Sequence, residues 1–333
     1  PGPMVMVVQP DYPQSNSGEK GADLSEILRF HLEHTKAALA REPKTDLVVW
    51  SETMMPPLNA SAIERLHDPS GSTLPEVAQG RIDALAERSG AAFLVGGMYW
   101  DGWVDRGAAG WRQTQERNSA YFFVPGPSGA TLRYDKVHLV PFGEYIPFQT
   151  TFPPLYHLLL TFSPYPKDYI WLTPGAPDAL TVFSLRSGWR FVTPICFEDL
   201  DGPLLRRMFQ PPPGQTRKRA DFIVNITNDG WFRFSEMPQH LQAAIFRSIE
   251  NRAPTARSVN TGISGFIDSV GRTYGLVPAG RGGVSIARVD PDERLTFYTR
   301  FGDVFAYICA ALTALMAARA IGEWWKQRGQ AKE

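Results

Sequence analysis

Cys196 follows the apolar run Phe191 to Ile195 and precedes Phe197-Glu198-Asp199. A cysteine at the carboxyl end of a strand, just before a turn, stands above an α/β sheet where a nucleophile can be reached. A lone free thiol is more often a buried structural residue, so Cys196 needs companions. The acids that follow it raise a thiol pKa, and a nearby cation is required to favour the thiolate. The stretch Tyr134 to Pro147 supplies one, because Lys136 lies there with His138 and Glu144 among apolar neighbours. A half-buried lysine stabilises an oxyanion or lowers the pKa of a thiol beside it. Glu52 ends the strand Leu47-Val48-Val49-Trp50 as Cys196 ends its own. Two strands finishing in Glu and Cys present a general base and a nucleophile at one sheet edge.

The elements that must hold these residues are legible as alternating strands and helices. Continuous, β-branched runs mark strands covered on both faces at Met4 to Gln9, Leu47 to Trp50, Ala92 to Gly96 and Ser119 to Val124. Further ones lie at Phe191 to Ile195, Phe222 to Ile226 and Ala256 to Asn260, with hairpin-like strands over 264–298. Helical spacing predicts helices over Asp23 to Arg41, Glu76 to Ser89 and Pro238 to Asn251. The pattern is that of a layered α/β domain. The segment 149–175 departs from it, being rich in proline and in large apolar residues, among them Leu158, Leu159, Leu160, Phe162 and Trp171. It reads as a long loop without secondary structure, either a lid that touches lipid or an excursion that packs on the core.

Composition narrows the class. The 333 residues carry 34 Lys+Arg against 34 Asp+Glu, which argues against nucleic acid as a partner. Two cysteines, Cys196 and Cys309, lie in no CxxC or Cys/His cluster, and His31 and His34 lack metal spacing. Neither a metal nor a cofactor is expected. Gly262-Ile263-Ser264-Gly265 is one residue short of a nucleophile elbow. His138 and His240 are read as structural hydrogen-bond formers.

The ends are unusual. Pro1-Gly2-Pro3 runs directly into the first strand, with no basic and apolar leader and no initiator Met. That predicts a piece of a longer chain or a processed one. Val304 to Ala318 is uncharged, and the stretch reaches Trp325 with only Arg319 and Glu323 interrupting. At ~1.5 Å per residue a helix of that length spans ~33 Å, about one hydrocarbon core. Its apolar residues surround the helix, so it is read as a membrane span in preference to a buried helix. Arg319, Lys326, Arg328 and Lys332 beyond it, against Arg294 and Arg300 before it, place the tail in the cytoplasm and the large domain on the other face.

Taken in order, these motifs resemble a known family. A Glu after a strand, a Lys in Tyr134-Asp135-Lys136-Val137-His138-Leu139-Val140-Pro141-Phe142-Gly143-Glu144 and a Cys in Pro194-Ile195-Cys196-Phe197-Glu198-Asp199 resemble the Glu-Lys-Cys triad of the nitrilase superfamily. Asn228-Asp229-Gly230-Trp231-Phe232, Gln239-His240-Leu241-Gln242, Arg257 to Ser264, and Arg300-Phe301-Gly302-Asp303 before the last helix are similar to the apolipoprotein N-acyltransferase branch. Trp50-Ser51-Glu52 stands where that branch has Trp-Pro-Glu, Phe197 where Tyr is usual, and Arg233 where Gly is usual.

The resemblance implies a nitrilase-like α-β-β-α sandwich over 1–300, with a C-terminal transmembrane helix and short tail over 301–333. It implies Glu52 as general base, Lys136 as oxyanion stabiliser, Cys196 as nucleophile, and Glu144 orienting Lys136 and sharing proton work. Phe197, Glu198, Asn228 and Trp231 are expected at the substrate, Glu198 either supporting the nucleophile's loop or touching the acceptor. Asn228, Asp229 and Trp231 are expected to shape the pocket wall. The implied donor is a phospholipid and the implied acceptor the diacylglyceryl-cysteine of a lipoprotein. The implied location is a bacterial inner membrane, with the domain on its periplasmic face. The competing readings are a carbon–nitrogen hydrolase with water as acceptor, and a catalytically silent, membrane-tethered binding module.

Overall fold

Met4–Gln9 forms strand β1, and every residue after Met4 is buried, as a run of Val and Met flanked by neighbours on both sides requires. A computed structural model of the protein describes residues 1–14, 21–107, 110–162, 172–231 and 234–330. The next strands are β2 (Leu47–Met55), β3 (Ala92–Asp101), the short pair β4 (Val104–Asp105) and β5 (Trp111–Arg112), β6 (Gln115–Phe123) and β7 (Leu132–Asp135). In the second half come β8 (Phe183–Ser184), β9 (Arg190–Val192), β10 (Phe222–Thr227), β11 (Thr255–Val259), β12 (Ser264–Ile267), β13 (Thr273–Val277) and β14 (Gly283–Arg288). The helices are α1 (Leu24–Leu39), α2 (Ala60–Leu66), α3 (Leu74–Ser89), α4 (Pro153–Leu160), α5 (Gly202–Phe209), α6 (Met237–Asn251), α7 (Phe297–Phe301) and α8 (Val304–Gln330).

The strands make two six-stranded sheets, ordered β14-β1-β2-β3-β6-β7 and β13-β12-β11-β10-β9-β8. In each, a central trio is parallel: β1, β2 and β3 in the first, β9, β10 and β11 in the second. The sheets face each other across one apolar core that joins Val5, Val7, Val49, Leu94 and Phe122 to Phe191, Val192, Phe222 and Val224. A second core fills the outer face of the first sheet, where Met6, Val8, Val48 and Trp50 meet Ile27, Leu28, Ile82 and Leu85 of α1 and α3. Leu204, Leu205, Met208 and Phe209 of α5 are buried, as are Met237, His240, Ala244 and Ser248 of α6. The arrangement is the α-β-β-α sandwich expected.

Local chemistry sets the element ends. Asp23 caps α1 by accepting from the Ser25 and Glu26 N–H groups at 2.8 and 2.9 Å. Thr73 and Glu76 make a reciprocal capping box on α3, which stops at Gly90 in a left-handed conformation. The two sheets are also joined by polar contacts. The Ser258 hydroxyl lies 3.0 and 3.2 Å from the Val8 and Val49 carbonyls, and the buried Gln9 amide bridges to Gly262, Pro278 and Arg281.

One expectation needs correction. The segment 149–175 was expected to lack secondary structure, yet Pro153–Leu160 is helical. Its two prolines occupy the first turn, where a missing N–H costs nothing and the fixed φ suits a helix. None of its residues is buried, and Phe152, Leu158 and Phe162 are exposed, so this described part does not pack on the core. Within the proposed lid, 163–171 lie outside the described residues. The helix α8 contains a 24-residue stretch, Val304–Gln327, long and apolar enough to cross a membrane, and none of that stretch is buried.

Candidate active site

Three strands deliver the three central residues to one place. Glu52 sits on β2 where pairing with β3 breaks between Trp50 and Met55, and the next residue, Thr53, adopts a positive φ of 54°. This bulge turns the carboxylate off the regular sheet face. Gly96 on the neighbouring strand makes the bulge possible, because a Cβ there would lie 2.3 Å from the Ser51 carbonyl oxygen. Lys136 follows directly on β7, with its N–H on the Asn118 carbonyl and its own carbonyl on the Gly175 N–H. Cys196 comes just after β9 and opens a short 3-10 turn, Cys196–Leu200, itself with φ of 52°. A non-glycine residue in that region is strained and persists only where its surroundings enforce it. Glu52 lies in the carboxyl-terminal half of β2 and Cys196 beyond the carboxyl end of β9, the side of parallel strands where ligands usually sit.

The ammonium of Lys136 is fully buried, 2.8 Å from Glu144 Oε1 and 3.7 Å from Glu52 Oε1. The Asn118 amide donates to Glu52 Oε1 at 2.5 Å, and the Asn228 N–H donates to Oε2 at 2.7 Å. Glu144 is further fixed by the Val140 N–H at 2.8 Å. Burial pushes the Glu52 carboxyl above its ordinary value, against the pull of Lys136. For Lys136, burial acts to lower the pKa, but Glu144, Cys196 and Glu52 outweigh it and hold the ammonium above its ordinary value. Burial and then Glu52 push the Cys196 thiol well up, with Lys136 opposing. The resting sulfur is therefore a thiol, and reaction requires a base to take its proton as it attacks.

These groups line a cavity of about 710 Å³. Its walls are mostly apolar: Met55, Pro56, Pro57, Leu66, Leu74, Met98, Trp100, Val140, Leu172, Phe197 and Trp231. Phe197 and Trp231 thus stand where substrate contact was expected, while Glu198 and Asn228 do not line it. Glu198 is fully buried and takes hydrogen bonds from the Tyr134 hydroxyl and the Val137, His138 and Ile195 N–H groups, at 2.7 to 3.1 Å. Burial lifts its carboxyl to about 7 against those donors. It ties the Lys136 loop to the Cys196 turn, the first of the two roles anticipated for it. The Asn228 side chain meets Gln14, Asn260 and the Gly230 N–H, so only its backbone serves Glu52.

Asp229 is not wall either. It is fully buried, and with Asp199, His240 and Arg257 it closes a four-membered ionic ring. His240 reaches Asp199 at 2.9 Å and Asp229 at 2.7 Å, and Arg257 reaches them at 2.8 and 3.3 Å. The ring joins the Cys196 turn, through Asp199, to the loop whose Asn228 N–H holds Glu52. Among the described residues no His, Cys, Asp or Glu cluster is placed to hold a metal. Sequence reasoning did not single out Asn118, Asp199 or Arg257. The one signal was polar residues on strands otherwise buried, Glu116 and Asn118 on β6 and Arg257 on β11.

Comparison with known proteins places this geometry. The chain is 39% identical over 206 residues to the apolipoprotein N-acyltransferase of Geobacter metallireducens, across 61% of this chain and 36% of that protein. It is 31% identical over 300 residues to the apolipoprotein N-acyltransferase of Bordetella bronchiseptica, across 87% of this chain and 50% of that one. It therefore spans half or less of the length of these two curated relatives. Among solved structures, the carbon-nitrogen hydrolase from Helicobacter pylori superposes with a TM-score of 0.58 at 14% identity, over 86% of this chain and 89% of that one, a likeness of fold alone. The carbon-nitrogen hydrolase family matches residues 5–296, and the chain belongs to that family.

Proposed function

We propose that residues 1–300 are the catalytic domain, and 301–333 the membrane anchor and tail, of an N-acyltransferase. It moves a fatty acyl chain from a phospholipid to the α-amine of a diacylglyceryl-cysteine on a lipoprotein, through a thioester on Cys196. The observation that carries this reading is the mostly apolar cavity of about 710 Å³ lined by Cys196, Lys136 and Glu52, which has room for an acyl chain. The names of the relatives and the apolar α8 support it. The domain is assigned to the periplasmic face of a bacterial inner membrane.

Glu52 takes the proton of the Cys196 thiol as sulfur attacks the ester carbonyl. Its raised pKa and its distance from Lys136 suit a base that must hold a proton briefly and return it. Lys136, permanently charged beside Glu144, faces the developing oxyanion, with the Phe197 N–H assisting. Collapse expels the lysophospholipid alkoxide, protonated by Glu52, and leaves the acyl group on sulfur. The acceptor amine then attacks the thioester by the same groups in reverse order. A hydrolase using the same residues would pass the acyl group to water.

Intact-mass analysis after incubation with phospholipid vesicles tests this. The expected result is a single acyl adduct on Cys196 that vanishes when a free-amine diacylglyceryl-cysteine peptide is added, and no adduct on Cys196→Ala. Release of free fatty acid at a rate indifferent to the peptide would favour the hydrolase instead.

A further inference from the structure

The mechanism leaves one charged group in the cavity without a task. Glu116 lines it, on the same face of β6 as Asn118, two residues away and so ~7 Å along the strand. The Glu116 carboxylate accepts from the Gln113 amide at 2.7 Å. Its cross-strand partner is Trp100 of β3, which also lines the cavity. Among the described residues, two buried polar atoms on neighbouring lining residues have no partner: Asn118 Oδ1, an acceptor, and Trp100 Nε1, a donor. Asn118 cannot be turned round to cure this, because its amide nitrogen is committed to Glu52. Among the described lining residues Lys136 is the one cation, against the carboxylates of Asp23, Glu52, Glu116 and Glu144. An anion or a bare acyl tail would leave this set unmatched, and water would satisfy the two atoms without balancing the carboxylate charge. A primary ammonium with a carbonyl on the adjoining carbon matches it in charge, donor and acceptor.

We propose that Glu116, Asn118 and Trp100 form the subsite for the acceptor's α-ammonium and its neighbouring carbonyl, an inference that rests on the acyl-transfer reading. Glu116 balances the ammonium charge, Asn118 Oδ1 accepts one of its N–H groups, and the Trp100 indole donates to the carbonyl. The same Asn118 holds Glu52, so a nitrogen bound there lies beside the base. An ammonium cannot attack, and its protons divide as follows. One passes to Glu116 and on to water. The freed lone pair then forms the C–N bond to the thioester carbon, the C–S bond breaks, and Glu52 carries the second proton from nitrogen to the departing sulfur. The products are an amide, the Cys196 thiol and one released proton. Burial raises the Glu116 carboxyl above its ordinary value, with Gln113 and then Arg112 opposing, which suits a group that accepts a proton in passing.

The test uses the full-length protein, loaded with an acyl group on Cys196 and challenged at neutral pH with two nucleophiles. One is a diacylglyceryl-cysteine peptide with a free α-amine; the other is methoxyamine, uncharged at that pH. Glu116→Gln is expected to slow transfer to the peptide by about tenfold or more, chiefly through KM, and transfer to methoxyamine much less. Glu116→Asp should recover part of the loss. Trp100→Phe, which keeps an aromatic wall, should raise KM for the peptide but not for a simple alkylamine lacking the carbonyl. Equal losses with both nucleophiles, or none with the peptide, would overturn the subsite and leave the acyl-transfer reading intact. Failure of the parent protein to form any thioester would overturn that reading and the subsite with it.

Discussion

The buried ionic ring makes stability depend on pH in a calculable way. His240 feels burial and Arg257 pushing its pKa down, but Asp199 and Asp229 prevail and lift it to about 9. An unfolded histidine titrates near 6.5. The folded chain therefore keeps the imidazolium proton after the unfolded chain has lost it. The resulting stabilisation is complete below about pH 6.5 and is lost as pH rises through about 9. The interval from 6.5 to about 9, at about 1.4 kcal/mol per pH unit, corresponds to roughly 3–4 kcal/mol. Lys218, held down to about 8 by burial, titrates with the opposite sign over the upper part of this range. The parent must therefore be compared with His240→Gln, which carries the same Lys218 and no titrating ring. Equilibrium unfolding in guanidinium, followed by tryptophan fluorescence at pH 6, 8 and 10, measures both. The variant should be the less stable at pH 6, and the gap should close by roughly 3–4 kcal/mol by pH 10. A gap that stays constant across that range would show that His240 is neutral in the folded chain and refute the charge assignment.

The catalytic assignments predict kinetic losses. Glu52→Gln should cost about 10²–10⁴ in rate and Lys136→Ala about 10²–10³, with the double variant less than multiplicative because both serve one step. Single-turnover acylation of Cys196 measures this, and a near-parent rate with unchanged melting would remove that residue from the assignment. Gly96→Ala would set a Cβ 2.3 Å from the Ser51 carbonyl and 2.7 Å from Glu52 Cα, so it should lower stability by about 1–3 kcal/mol and slow acylation disproportionately. A thermal melt with a parallel acylation assay decides it, and a fully active variant would show that the bulge can relax. Changing Leu158, Leu159 and Leu160 together to Ser should spare the melting temperature, since α4 buries none of its residues. Its activity loss should fall on vesicle-embedded donors more than on short soluble esters, and equal loss on both would deny the helix a role in lipid entry.

The strands were legible because their burial is written locally. Runs such as Leu47 to Trp50 and Phe222 to Ile226 are apolar on both faces, and the structure covers both. Glu52 and Cys196 were legible because each ends a strand-like run, and Lys136 because it is a cation in an apolar stretch; the structure brings Lys136 and Glu52 to 3.7 Å. The polar support was not legible. Asp199, Asp229, His240 and Arg257 are far apart in sequence and meet only because two sheet ends and α6 converge, which no local pattern encodes. For the same reason the donors from distant loops that fix Glu198 and Asn228 in the framework had no local sign. The helix α4 was hidden by prolines that normally argue for a loop.

The two halves of the site belong to different sheets, with Glu52 and Lys136 carried by the first and Cys196 by the turn after β9 of the second. They are separated by most of a domain's worth of chain, and neither sheet alone owns a reactive centre. A nascent or partly folded chain with one sheet assembled therefore has a sulfur without its base and cation. The complete site exists only once the two sheets dock, which makes it a marker of that step. The strained conformation of Cys196 sharpens the timing, since that geometry relaxes as soon as the docking that enforces it is lost.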